Sequence, residues 1–169
     1  MHRTLRPTAV VAALTTLLGA TPAAHAAPDG KKVIDRVDAE LLVSMFEDLG
    51  GDATATQDGA GDPTIEGLLE GVRVGVYFYG CRGKPACPLI QLRAFWDEPA
   101  ALALLNEHNR GTLLGRAYLD KDGDPTLEWT SRLEGGVTID HLRSEVAWFQ
   151  KAIRDFQARL HDARDKGTP

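Results

Sequence analysis

Residues 72–79 alternate strictly. Val72, Val74, Val76 and Phe78 fall on one side of an extended chain, and Arg73, Gly75, Tyr77 and Tyr79 on the other, which predicts a strand with one buried face. Residues 89–96 repeat the pattern, with Ile90, Leu92, Ala94 and Trp96 opposed to Gln91, Arg93 and Phe95. Further on, Leu127, Trp129, Ser131 and Leu133 alternate with Glu128, Thr130, Arg132 and Glu134, so one face of that strand is solvated or salt-bridged. Weaker alternation predicts short strands over 53–58 and 64–70, the second weakened or bent by Gly67 and Gly71, and a strand over 112–119.

Three segments show a helical period instead. Ile34, Val37, Leu41, Leu42, Met45, Phe46 and Leu49 step by three and four, predicting a helix near 33–49 that Gly50-Gly51 stops. Asp97-Glu98-Pro99 offers an acidic cap and an early proline, predicting a helix from there to Gly111. Leu142, Val146, Phe149, Ile153, Phe156 and Leu160 form the cleanest stripe in the chain, with Thr138 as cap and a polar end from Asp162 expected to fray. Turn clusters at 59–63, 120–125 and 135–136 separate the segments, and Asp122-Gly123 supplies the positive φ of a tight hairpin. The order is helix, a run of strands, helix, hairpin, helix. It does not alternate strand with helix, so the predicted class is α+β, helices packed on an antiparallel sheet.

The N-terminus changes the compartment. Arg3 and Arg6 precede an apolar run from Thr8 to Ala20, and Ala24-His25-Ala26 reads as a cleavage site. A Sec-type signal peptide over 1–26 is expected, then a linker over 27–32, one domain over 33–163 and a flexible tail over 164–169. The run is short for a stable anchor, and no second apolar segment is long enough to cross a bilayer. Without Arg3 and Arg6, 17 basic residues face 24 acidic ones, a formal charge of −7. No basic stripe remains, which argues against nucleic acid as a partner. The expected location is the periplasm or the outside of the cell.

An exported chain meets an oxidising environment, and its two cysteines, Cys81 and Cys87, flank one short Gly/Pro loop between the two strongest strands. They are expected to form a structural disulfide. Arg82 and Lys84 would favour a thiolate, but the spacing is not Cys-x-x-Cys, so redox chemistry is the weaker reading. Asp120, Asp122 and Asp124 resemble the start of a calcium loop, yet Pro125 and Ser131 stand where such a loop needs Gly and Glu. His108, His141 and His161 are read as helix-surface residues without carboxylate pairing. Ser44, Ser131 and Ser144 sit in no nucleophile elbow. No metal, cofactor or catalytic residue is expected, although the many carboxylates leave an acid pair open.

Tyr77, Tyr79, Phe95, Leu114 and Tyr118 could share one sheet face with Arg73 and Arg93. Aromatics with arginines suit a protein interface. Cover by one of the helices would explain the same residues, and spacing alone does not decide between the two.

Gly80-Cys81 and Cys87, then Leu92-Arg93-Ala94-Phe95-Trp96, Asn106-Glu-His-Asn109, Gly115-Arg116-Ala117-Tyr118-Leu119-Asp120, Gly123-Asp124-Pro125 and Leu133-Glu134-Gly135-Gly136-Val137 follow one another in an order that resembles the YbjN family, described as sensory-transduction regulators. The resemblance spans roughly 33–160. His108 stands where the family pattern carries Trp, which reads as a mild surface or packing change. The resemblance implies a fold like that of type III secretion chaperones, often dimeric, and no catalytic residues to carry over. The expected function is an exported, non-catalytic binding, chaperone-like or regulatory module of the bacterial cell envelope. Its expected partner is a protein, with a homodimer also open, through Tyr77, Tyr79, Arg93, Phe95 and Tyr118. The rival readings are a small envelope enzyme, either a thiol oxidoreductase or a hydrolase, and a ligand- or calcium-binding module.

Overall fold

A computed structural model describes residues 28–167. The expected signal peptide and the last two residues of the tail lie outside the described residues. Six strands form one antiparallel sheet: β2 (Asp52–Gln57), β3 (Pro63–Leu69), β4 (Val72–Tyr79), β5 (Leu89–Phe95), β6 (Arg116–Leu119) and β7 (Pro125–Arg132). Their spatial order is β2-β3-β4-β5-β7-β6. A second, two-stranded sheet pairs β1 (Val33–Ile34) with β8 (Val137–Thr138). The helices are α1 (Ala39–Asp48), α2 (Leu102–Gly111) and α3 (Ile139–Asp165), and the class is α+β as expected.

The core lies on one side of the sheet. Val72, Val74, Val76 and Phe78 of β4 meet Ile90, Leu92 and Ala94 of β5 and Leu127 and Trp129 of β7. Against them lies the α3 stripe, with Leu142, Val146, Phe149, Ile153, Phe156 and Leu160 all buried. The period-2 and period-3.6 patterns therefore describe two halves of one core. Burying a large aliphatic or aromatic side chain contributes roughly 1.5–3 kcal/mol.

Cys81 and Cys87 are bonded, with Cα atoms 4.4 Å apart, and both are buried. The bridge reaches further than the hairpin it closes. Val37 N–H donates to the Cys87 carbonyl and Cys87 N–H donates to that of Val37, so the stapled loop also holds the chain entering α1.

Several boundaries differ from the sequence expectation, most of them because of a partner distant in the chain. The first helix begins at Ala39, because Val33–Ile34 is drawn into pairing with β8 and the Asp38 carboxylate caps Leu41 N–H. The second helix begins at Leu102, behind Ala101, and has no side-chain cap. The expected acidic cap is engaged elsewhere: Asp97 accepts from Arg73 at 2.7 Å, and Glu98 from Arg164 at 3.1 Å. The expected strand over 112–119 begins only at Arg116. Thr112 closes α2 by donating its N–H and its hydroxyl to the His108 carbonyl, and Gly115 turns the chain at φ 77°. Leu114 therefore lies in an exposed loop outside the strand, not on the aromatic face.

At the N-terminal end, residues 28–32, within the expected linker, bond to the start of α3. Gly30 and Lys32 carbonyls accept from Asp140 N–H and Ile139 N–H, and Thr138 Oγ1 accepts from His141 N–H, so the start of α3 is satisfied by the segment before β1 together with the helix's own cap. At the far end α3 runs to Asp165, beyond the expected domain boundary at 163, and Arg164 ties it to Glu98.

The histidine reading needs correction. His108 is 1% exposed, and its ring meets Phe156 edge-on with centroids 4.8 Å apart. Neither ring nitrogen has a hydrogen-bond partner among the described residues. Residue 108 is a core position, so a large ring there packs rather than decorates the surface. The other two do face carboxylates: His141 Nε2 lies 3.9 Å from Glu145, and His161 Nε2 lies 4.0 Å from Glu98.

Candidate interaction face

None of the three described helices covers the other side of the sheet. Strand parity places Arg73, Gly75, Tyr77 and Tyr79 there, with Leu89, Gln91, Arg93 and Phe95 from β5, Glu128 and Thr130 from β7, and Arg116 and Tyr118 from β6. All five residues expected to form the face, Tyr77, Tyr79, Arg93, Phe95 and Tyr118, therefore share it. The register aligns Gly75, Arg93, Glu128 and Arg116 as one row across four strands.

Glu128 organises that row. It is 4% exposed although no helix lies over it. Arg116 donates from Nε at 2.8 Å and from Nη2 at 2.5 Å to Oε1. Tyr118 donates its hydroxyl to Oε2 at 3.2 Å, and Arg93 Nε approaches the same oxygen at 3.2 Å. One carboxylate thus faces two guanidinium groups, which leaves the cluster with a surplus positive charge. The Arg116 side chain is 67% exposed, so that charge is open to a partner. Cross-strand pairs of opposite charge are a normal sheet device. A carboxylate screened this far from water by its own partners is the unusual part.

The arginines also lie on rings. Arg73 lies 5.3 Å from the Phe95 centroid, Arg93 4.8 Å from that of Tyr77 and Arg116 5.7 Å from that of Tyr118. Gly75 makes the middle stack possible. A Cβ there would stand 3.2 Å from the Tyr77 hydroxyl and 3.3 Å from its ring, so the missing side chain is the space into which Tyr77 folds down. Gln91 completes the set by accepting from both Tyr79 and Arg93. Burial raises the Tyr118 phenol above its ordinary pKa; Glu128 adds to that shift and Arg93 opposes it.

The other chemical candidates settle into turns and ties. The Asp120 carboxylate accepts from Asp122 N–H and Asp124 N–H, shaping the β6–β7 turn, while Asp122 pairs with Lys121. Among the described residues no group of three His, Cys, Asp or Glu side chains has metal-binding geometry. Ser131 meets a glutamate that sequence spacing did not reveal. Its hydroxyl donates to Glu145 Oε2 at 2.7 Å, and Trp129 Nε1 donates to the same oxygen at 2.9 Å. The carboxylate, not the nearby His141, faces the hydroxyl, which is not the order a nucleophile–base relay needs. Its evident work is to fasten α3 to β7.

A family model described as "Putative bacterial sensory transduction regulator" matches residues 38–162. The chain belongs to the YbjN family. The match begins at the cap of α1, ends within α3, and takes in the disulfide and the whole arginine–aromatic face of this YbjN domain. No curated protein and no solved structure matches the chain. The family is described by regulation rather than by a reaction, in keeping with a face built from stacked rings and ion pairs.

Proposed function

We propose that this YbjN protein is an exported, non-catalytic regulatory module of the cell envelope, and that its helix-free sheet face binds a protein partner with carboxylate groups set among apolar ones. The observation that carries the reading is the Arg93–Glu128–Arg116 row flanked by Tyr77, Tyr79, Phe95 and Tyr118. Rigid aromatics and arginines supply contact area at low entropic cost, and the surplus cation selects an acidic partner over a basic one. Export is supported by the basic start, the apolar run and the Ala24-His25-Ala26 site. The bonded cysteine pair fits that compartment.

The test is differential. The mature chain and a Tyr79→Ser, Arg116→Ser variant are crosslinked in intact cells, alongside a Trp148→Ser control on the exposed side of α3. A crosslinked protein kept by the control and lost by the face variant supports the reading. Equal recovery from both variants refutes it. Export is checked separately by fractionation and intact mass: a full-length chain in the cytoplasm would overturn that part alone.

A further inference from the structure

The two edges of the six-stranded sheet are finished differently. At the β6 edge the outward N–H and C=O of Ala117 are both bonded by the Asn109 side chain. At the β2 edge no such cover exists among the described residues. The bond from Asp58 N–H to the Asp62 carbonyl sets the phase of the β2–β3 ladder. By the two-residue period, Asp52, Thr54 and Thr56 bond to β3, and Ala53, Ala55 and Gln57 turn their N–H and C=O groups away from the sheet. This edge is six residues long and mostly exposed, with no proline and no lysine. Its central run, Ala53–Gln57, carries no charge at all. Edges of that kind are templates for another strand.

Charge decides which strand. Asp52, Asp58 and Glu66 are exposed around the edge, and Glu40 and Asp62 border the groove between β2 and the start of α1. Lys84 is the cation lining that groove, and Arg73, beside Glu66, is held by Asp97. A second copy added by two-fold symmetry would bring these carboxylates against their own equivalents. The geometry points to an extended, basic segment of another polypeptide, added to β2 as a seventh strand. The small side chains of Ala55 and Thr56 leave room for alternate residues of the guest on both faces. Two strands, β3 and β4, separate this edge from the Arg93–Glu128 cluster, and it does not depend on that cluster.

The probe is a synthetic eight-residue peptide alternating lysine with valine or threonine, titrated into the mature chain with backbone amides followed by NMR. Shifts confined to 53–57 and neighbouring residues are expected. Ala55→Pro removes one outward N–H without touching the β3 ladder and is expected to weaken binding about ten-fold. Should that variant fail to fold, Ala55→Lys places a cation on the edge and serves instead. Asp52→Asn with Glu66→Gln should weaken binding and flatten its salt dependence. Tyr79→Ser with Arg116→Ser should leave it unchanged, which separates this site from the face proposed above. No binding at millimolar peptide, equal binding by an all-glutamate analogue, or equal affinity of the edge variants would overturn the proposal. So would a dimer of the chain that Ala55→Pro dissolves, since the occupant would then be a second copy.

Discussion

The side-chain amide of Asn109 makes both backbone hydrogen bonds that the outer edge of Ala117 offers, donating to its carbonyl at 2.8 Å and accepting from its N–H at 2.7 Å. A helix residue thereby imitates the missing neighbour strand. It anchors α2, whose only fully buried side chains are Leu105 and His108, to the end of the sheet.

Asn109→Ala is expected to cost about 1–3 kcal/mol, the scale of two lost bonds to backbone groups left facing solvent. It should also loosen α2 locally before the sheet. Hydrogen exchange measures both: amides of 116–119 and 104–111 should lose protection, with little change in β4 and β5. Uniform loss of protection would show that α2 and the sheet open as one unit.

Glu128→Ala removes the one carboxylate that Arg93 and Arg116 share on the open face. Leaving Arg93 without its buried partner is the larger penalty, and a loss of about 1–3 kcal/mol is expected. Arg116→Ala should cost less, because Glu128 keeps Arg93 and Tyr118 and Arg116 is mostly in water. Urea unfolding of the two variants ranks them, and the reverse order would mean that Glu128 is held by Arg116 alone.

Much of this was legible in the sequence, and the rest was hidden by distance along the chain. Strand β4 and the α3 stripe follow from periodicity, because each residue's partner face repeats every two or about 3.6 residues. Val33–Ile34 reads as helix locally and becomes strand only because Thr138 and Val137, far along the chain, lie beside it in the fold. Alternation within each strand points to Tyr77, Tyr79, Arg93, Phe95 and Tyr118 but not to the meeting of Glu128 and Arg116. That meeting depends on the β6–β7 register, and the placing of Arg93 beside it on the β5–β7 register, neither of which local spacing encodes. The burial of His108 is hidden for a similar reason: the ring it packs against, Phe156, belongs to α3.

Replacing Cys81 and Cys87 together by serine should cost about 2 kcal/mol from the short loop closed by the bond. An additional loss is expected because both sulfurs are buried and Cys87 holds Val37. Reduction of the native protein should therefore expose the start of α1 as well as the hairpin. Limited proteolysis under reducing conditions that cut only within 82–86 would show the Val37 contact to be independent of the bridge.

The pH dependence of stability should carry the mark of His108. Burial lowers its pKa below the ordinary value of 6.5, Arg159 lowers it further, and Asp155 partly opposes them; both charged groups project from α3. The unfolded chain then binds a proton at higher pH than the folded one. Stability is full above about pH 6.5, falls as pH drops through that value, and stops falling once the folded histidine is itself protonated. Phenylalanine fits the same edge-on contact with Phe156 and cannot titrate. His108→Phe should match or exceed the native protein at pH 8, and its urea midpoint should fall less between pH 7 and pH 5. Parallel pH profiles for the two proteins would assign the acid sensitivity to other groups.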